Sequence, residues 1–392
     1  MKLTQVLLFF GTVLIIYGLI NFYLLRRALL IIPESYKTLF ITIFIFIVLS
    51  FFVGRLLERV SINLISDALV WIGSFWLAFM FYFFLLLIIV DLLRLINHFL
   101  PFFPTFITSN IEKTKRITAL VVFILVTITV VGGYINTKVI VTKTYSIKIK
   151  KNAGALKSLN IVMASDIHLG TIIGKTYLTK LKNQINSLEP DIILLPGDII
   201  DEDLASVIKN NVGEELIQLK SKYGVYGITG NHEYIGGVDA ACNYLDNHNV
   251  KMLRDTTVKI DNDFYLVGRE DRSIRQFSGK QRKDLKEIMK DVDKSLPIIL
   301  MDHQPFGLND AQDNEVDLQF SGHTHYGQLW PVNFIVEKIY DLSWGYTVKG
   351  NTHYYVSCGV GGWGPPVRTG SRPEIINFKL RFVGPDQNNG KK

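Results

Sequence analysis

Residues 192–201 read IILLPGDIID, and this short stretch decides the class of the fold. Consecutive aliphatic residues of this kind are typical of a strand that is buried on both faces of a parallel sheet. The run ends at a Pro-Gly pair, which predicts a turn, and Asp198 and Asp201 follow. In α/β sheets the polar residues after the carboxyl ends of strands form the binding site. The stretch therefore predicts an α/β domain with carboxylates at its site.

Four other segments have the same form, an apolar run followed directly by polar residues. The polar residues are Asp166 and His168 after 159–164, Asn231 and His232 after 225–229, His303 after 298–301, and His323 and His325 after 318–320. Helical stretches separate these segments. We expect five strands to bring these side chains to one edge of the fold.

These side chains offer carboxylate, amide and imidazole donors. Such donors without thiolates suit Zn, Mn and Fe ions. Two metal ions about 3.5–4 Å apart can hydrolyse a phosphate ester, because they polarise phosphoryl oxygens and ionise water at neutral pH. Two dications at this distance repel each other, and a shared carboxylate reduces the repulsion. Asp198 follows a glycine in its turn and is the expected bridge. The sequence thus predicts two divalent metal ions, Mn²⁺, Fe²⁺ or Zn²⁺.

The order of the segments resembles the motif series of the calcineurin-like metallophosphoesterases. The matching segments are DIH (166–168), GDIID (197–201), GNHE (230–233), His303 and GHTH (322–325). The resemblance covers about residues 158–380. It implies an α-β-β-α sandwich and a metal-dependent phosphoric ester hydrolase.

The resemblance also implies a role for each motif residue. It assigns Asp166, His168 and His325 to the first metal, Asn231, His303 and His323 to the second, and Asp198 to both. His232 would be catalytic, either stabilising the developing charge or protonating the leaving oxygen. Asp201 and Glu233 would orient these groups.

The tail VSCGVGGWGPPVRTGSRPEI (356–375) is similar to the closing segment of a membrane-associated branch of this family. That branch includes bacterial enzymes close to the UDP-diacylglucosamine pyrophosphohydrolases. Tyr326 departs from the branch, in which glycine is usual, and this change affects the shape of the pocket rather than the metals. Arg368 in the tail is expected either to contact a substrate phosphate or to form a surface ion pair.

The N-terminal third differs in composition, because it contains long runs of apolar residues without charges. Helices at about 5–25, 37–54, 67–93 and 116–136 are expected to cross a membrane, since some 20 apolar residues span the hydrocarbon core. A cleavable signal peptide is disfavoured because further apolar runs follow the first. Buried helices of a soluble domain are disfavoured because LFITIFIFIVLSFFVG (39–54) has no polar face. A strand or linker (137–157) and a catalytic domain (158–392) complete the expected architecture.

The totals agree with a membrane protein. The chain has 392 residues, 48% of them hydrophobic, which is too apolar for a wholly soluble protein of this size. The net charge of +7 is assigned to surface lysines, and no nucleic-acid partner is expected. Cys242 and Cys358 form no metal-like pair. The Lys and Arg distribution slightly favours a catalytic domain outside the cytoplasm, on a multi-pass protein of the cell membrane.

Three functions are open at this point. The favoured one is hydrolysis of a phosphodiester or pyrophosphate in a lipid-linked or envelope substrate, with membrane lipids as partners. The second is a tethered hydrolase of soluble phosphate esters or nucleotides, and the third a scaffold without catalysis, disfavoured because all seven expected ligands are present. A lipid substrate requires exposed apolar residues beside the site. The residues expected to provide them are Trp330, Phe334, Ile335, Trp344 and Trp363.

Overall fold

The structure is a computed structural model that describes residues 3–384. The last part of the expected catalytic domain, 385–392, lies outside the described residues. The chain forms two compact units. The first runs to Ile135 and includes the segment Gly364–Thr369, and the second begins at Asn136 and contains the remainder.

The first unit is helical. Its helices are α1 (Leu3–Ala28), α2 (Glu34–Val60), α3 (Leu64–Phe99), α4 (Thr105–Thr108) and α5 (Ile111–Asn136). Three of the described helices, α2, α3 and α5, are long and apolar enough to cross a membrane. They confirm the expected membrane location. The first helix, α1, covers the remaining expected span, and its crossing of the membrane stays a prediction.

Small residues let α2 and α3 approach closely. A Cβ on Gly73 would lie 2.3 Å from the backbone nitrogen of Phe51, and a Cβ on Gly54 would lie 2.7 Å from that of Val70. Such contacts are typical of helix pairs in membranes, where packing replaces the hydrophobic effect as the driving force.

The second unit contains two six-stranded sheets. Their orders are β1-β12-β2-β3-β4-β5 and β10-β11-β9-β8-β7-β6. The strands are β1 (Val141–Ile149), β2 (Ser158–Met163), β3 (Ile192–Pro196), β4 (Val225–Ile228), β5 (Val250–Met252), β6 (Thr256–Ile260), β7 (Phe264–Gly268), β8 (Ile298–Met301), β9 (Leu318–Ser321), β10 (Gly345–Lys349), β11 (Thr352–Val356) and β12 (Glu374–Phe382). The first strand lies in the stretch expected to be a strand or linker, and it pairs in parallel with β12.

Helices cover the outer faces of the two sheets. They are α6 (Lys175–Asn186), α7 (Leu204–Lys209), α8 (Glu214–Ile217), α10 (Val238–Asn247), α12 (Leu285–Ile288) and α13 (Asn309–Asp313). Three short helices lie in the connecting segments: α9 (Asn231–Gly236), α11 (Ile274–Ser278) and α14 (Asn333–Ile339). Leu178 and Leu181 of α6 pack with the first sheet, and Leu285 of α12 packs with the second. The layers confirm the expected sandwich.

Strand β2 explains why the apolar runs do not alternate with polar residues. Ile161 and Met163 face the core between the two sheets, while Val162 packs under the outer helices. Both faces of the strand are therefore buried, as expected for the central strands of a layered α/β fold.

The strands direct their carboxyl ends to one place in each sheet. β2, β3 and β4 are parallel neighbours in the first sheet, and β8 and β9 are parallel neighbours in the second. The residues after each of these strands therefore emerge at the same edge of their sheet.

Candidate metal centre

The loops after the strands adopt an unusual backbone. Asp166, His168, Asp198, His323 and His325 all have positive φ, between 47° and 72°. This region is sparsely populated by residues with a Cβ, and it concentrates at functional sites because the surrounding structure must impose it. At Asp166 the loop is also held by a backbone bond, since its N–H donates to the carbonyl of Gly197 over 3.1 Å.

Two motif glycines make room for the carboxylates. A Cβ on Gly230 would lie 2.1 Å from Oδ1 of Asp198, and a Cβ on Gly322 would lie 2.2 Å from Oδ2 of Asp166. No side chain fits at these distances. These glycines are therefore required by close approach of the site residues, in addition to any role in turning the chain.

One group of donors consists of Asp166, His168 and His325, whose ligand atoms lie within 4.8 Å of one another. The Nε2 atoms of the two histidines are 3.0 Å apart, and Oδ1 of Asp166 lies 3.6 Å from Nε2 of His325. Ser165 fixes the carboxylate, because its hydroxyl donates to Oδ2 of Asp166 over 2.5 Å. The arrangement can hold a metal ion.

A second group consists of Asp198, His303 and His323. Nδ1 of His303 donates to the carbonyl of Pro196 over 2.8 Å. This bond orients the ring so that Nε2 faces Asp198, 3.1 Å from its Oδ2. Oδ1 of Asn231 lies 2.8 Å from Nδ1 of His323, which brings the amide into the same group.

Asp198 joins the two groups. The same Oδ2 that faces His303 lies 3.9 Å from Nε2 of His168. Burial alone would raise the pKa of Asp198, but the adjacent His303 and His232 hold the pKa well below its usual range. The carboxylate is therefore ionised at the point where two cations would lie closest together.

His232 lies at the same place and is held by two carboxylates. Its backbone N–H donates to Oδ1 of Asp198 over 2.9 Å, and its Nδ1 lies 3.0 Å from Oδ1 of Asp201. Burial lowers the pKa of the imidazole, but Asp198 and Asp201 outweigh burial and raise the pKa to about 9. His232 also forms a possible metal-binding group with His168 and Asp198. The geometry therefore allows His232 to act either as a metal ligand or as a proton donor.

Glu233 holds the loops of the site together by hydrogen bonds to their backbone. Its carboxylate accepts from the backbone N–H groups of Asp198, Ile200 and Gly230 at 2.7–3.1 Å. Burial and the charge of Asp198 raise its pKa. The side chain therefore ties the Asp198 turn to the start of α9, which carries Asn231 and His232.

Three residues that the sequence did not single out form a series of contacts that begins at His323. The ring of Tyr340 lies 6.2 Å from that of His323, Phe306 lies 4.6 Å from Tyr340, and the guanidinium of Arg272 lies 5.7 Å from the Phe306 ring. These residues come from separate loops and belong to no motif. Only the position of Phe306, three residues after His303, could have drawn attention.

The apolar residues that a lipid substrate requires are exposed. Trp330, Phe334, Ile335, Trp344 and Trp363 are all accessible to solvent. One of them is close to the centre, since the ring of Trp363 lies 5.7 Å from that of His232. Arg368 is buried, so the expected surface ion pair is wrong for this residue.

Comparison with known families agrees with the geometry. The family model described as calcineurin-like phosphoesterase matches residues 159–327. Residues 159–327 are thus similar to the calcineurin-like phosphoesterases. The match covers all five segments and ends just beyond GHTH. The carboxylate, amide and imidazole donors of this segment fit the divalent metals that this similarity implies.

The proteins that are similar to this chain include one whose name describes it as a transmembrane protein. A transmembrane protein with metallophosphoesterase domain from Bos taurus is 33% identical over 291 residues, which cover 70% of this chain and 65% of that protein. The chain thus spans less than two thirds of that relative. An uncharacterised metallophosphoesterase of Campylobacter jejuni is 28% identical and is matched along 96% of this chain and 98% of its own length.

Solved structures show more distant similarity. A 5′-nucleotidase precursor from Thermus thermophilus superposes with a TM-score of 0.36 and 14% identity, covering 57% of this chain and 54% of that chain. At this level the similarity carries no information on activity.

Proposed function

We propose that this protein is a membrane-anchored phosphoesterase that uses two divalent metal ions to hydrolyse a phosphodiester or pyrophosphate in a lipid-linked or envelope substrate. The observation that carries the proposal is the position of Asp198. Its carboxylate lies between one group of histidine and carboxylate donors and a second group of histidine and amide donors. A shared carboxylate is what two closely spaced cations require.

In the proposed centre each group holds one ion. Asp166, His168 and His325 would hold the first ion, Asn231, His303 and His323 would hold the second, and Asp198 would contribute to both. Bound ions supply Lewis acidity and lower the pKa of a coordinated water toward neutrality. The identity of the ions, Mn²⁺, Fe²⁺ or Zn²⁺, follows from donor chemistry alone.

The chain itself supplies the proton for the leaving group. Attack of a water-derived oxygen forms a new bond to phosphorus, while the bond from phosphorus to the leaving oxygen breaks and its electron pair stays on that oxygen. Asp198 and Asp201 outweigh burial and raise the pKa of His232 to about 9, which favours the protonated form of the imidazole. Since Nδ1 faces Asp201, Nε2 is the atom that donates the proton to the leaving oxygen.

Two features favour a lipid-linked substrate. The chain has three helices that are long and apolar enough to cross a membrane, so the phosphoesterase domain shares its surroundings with lipids. The tail 356–375 resembles the branch that includes enzymes close to the UDP-diacylglucosamine pyrophosphohydrolases, and this resemblance favours a pyrophosphate joined to a lipid.

A substrate panel tests this proposal. The full chain in detergent micelles, loaded with Mn²⁺, is assayed with a lipid-linked pyrophosphate, a phosphodiester lipid, a soluble nucleotide pyrophosphate and an aryl phosphodiester. Asp198→Asn serves as the inactive control. We expect the highest kcat/KM with a lipid-linked substrate. A higher kcat/KM with the soluble nucleotide would establish the tethered hydrolase instead, and no hydrolysis of any substrate would contradict both functions.

A further inference from the structure

The segment after the GHTH motif has its apolar side turned outward. In an ordinary domain helix the apolar side packs against the core and the polar side faces water. In α14, Phe334, Ile335 and Ile339 are 54%, 60% and 56% exposed, whereas Asn333 is 7% exposed. The hydrophobic effect inside the domain does not explain this pattern, because the large side chains remain in solvent.

The exposed residues form one surface. Phe334 and Lys338 are four residues apart, as are Ile335 and Ile339, so these pairs lie on the same side of the helix. Trp330, which precedes the helix, is also more than half exposed. We call Trp330, Phe334, Ile335, Lys338 and Ile339 the α14 surface. A contiguous apolar surface of this kind marks a site of interaction with another molecule or a membrane.

We propose that the α14 surface inserts into the interfacial layer of the lipid bilayer. Segments that lie in the membrane interface typically combine Trp, Phe and Ile with Lys. Their rings and aliphatic groups lie among the acyl chains, and the ammonium group lies at the anionic headgroups. The Lys338 ammonium group is attracted to an anionic leaflet. Added salt screens this attraction.

The bilayer is the partner that lies nearest to the α14 surface, because the same chain is anchored in it. Three helices hold the chain in a membrane, and only residues 137–140 lie between the end of α5 at Asn136 and the start of β1 at Val141. Such a connection extends at most about 18 Å. The phosphoesterase domain is thus kept at a high local concentration of lipid without any further partner.

Insertion has a consequence for the metal centre, and this step alone rests on the proposed function. The segment that carries His323 and His325 is followed by the turn His325–Gly327 and, after residues 328–332, by α14. The hydroxyl of Tyr326 in that turn donates to Glu337 of α14. Anchoring the α14 surface would therefore hold one wall of the centre at the interface, where the phosphate of a lipid-linked substrate lies.

The test measures the depth of single residues in a bilayer. The full chain carrying Phe334→Cys or Ile335→Cys is labelled with a nitroxide and placed in nanodiscs of phosphatidylcholine and phosphatidylglycerol. Accessibility to oxygen, which partitions into acyl chains, is compared with accessibility to a water-soluble nickel chelate. Cys242 and Cys358 are buried, and the labelled parent chain measures their background. Ile208→Cys is the matched control, because Ile208 of α7 is equally exposed outside the α14 surface.

We expect labels at 334 and 335 to favour oxygen over the nickel chelate several-fold relative to the label at 208. Equal ratios at all three positions would overturn the proposal. Protection of 334 and 335 from both reagents would also overturn it, since it would show that a second copy or another protein covers the surface. Depth does not depend on hydrolysis, so this result is separate from the outcome of the substrate panel.

A second measurement needs no label. Trp330 fluorescence in nanodiscs made with brominated lipids is obtained as the difference between the parent chain and Trp330→Phe. Quenching of this difference signal supports insertion, and an unquenched signal contradicts it.

Discussion

Nδ1 of His232 and Oδ1 of Asp201 lie 3.0 Å apart, and both side chains are buried. The pair gives the imidazole a fixed orientation and a carboxylate that favours its charged form. In the proposed mechanism the pair would set both which nitrogen faces the substrate and the pH range over which His232 gives up a proton.

Asp201→Asn should move the alkaline side of the activity profile. The neutral amide removes one of the charges that raise the pKa of His232. The pKa then falls, and the protonated form that donates to the leaving oxygen is lost at lower pH. A kcat profile across neutral and alkaline pH should show its falling limb shifted to lower pH. An unchanged limb would mean that His232 is not the proton donor.

His232→Ala should slow the chemical step while the metals stay bound. Loss of an acid–base group costs roughly 10²–10⁴-fold in kcat. Metal content by mass spectrometry should match that of the parent chain, and His248→Ala is the control, since His248 lies outside the motifs. Loss of metal in the His232 variant would instead identify His232 as a ligand, a role that its grouping with His168 and Asp198 leaves open.

Gly230→Ala should lower metal content. The added Cβ would lie 2.1 Å from Oδ1 of Asp198, and the shared carboxylate must move to relieve the overlap. Gly174→Ala is the matched control, because a Cβ there would lie 3.9 Å from its nearest neighbour, the carbonyl of Gly170. Titration of metal-free chains should show weaker binding for the Gly230 variant only. Equal binding by both variants would show that the turn tolerates a side chain.

Much of the fold could be predicted because its signals are local. An apolar run such as 192–195 ends in a Pro-Gly pair, and both features act through neighbouring residues. The membrane location follows equally from length and composition, as in α2 and α5. The motif residues were found for the same reason, since each follows its own strand.

Other features depend on distant residues and left no local signal. Asp166 has positive φ, and its N–H donates to the carbonyl of Gly197, some thirty residues away in the chain. The ring contact between Tyr340 and Phe306 joins two separate loops. Arg368 illustrates the same limit, because the sequence left a phosphate contact and a surface ion pair open for it, and tertiary packing buries the side chain.

The central claim is that Asp198 joins two metal ions in a hydrolytic centre. The most direct test measures metal content per chain and phosphodiester hydrolysis for the full-length parent and for Asp198→Asn, which keeps the shape of the side chain and removes its charge. We expect about two ions per chain in the parent, and both a lower metal content and loss of hydrolysis in the variant. A variant that retains both ions and full activity would contradict the account.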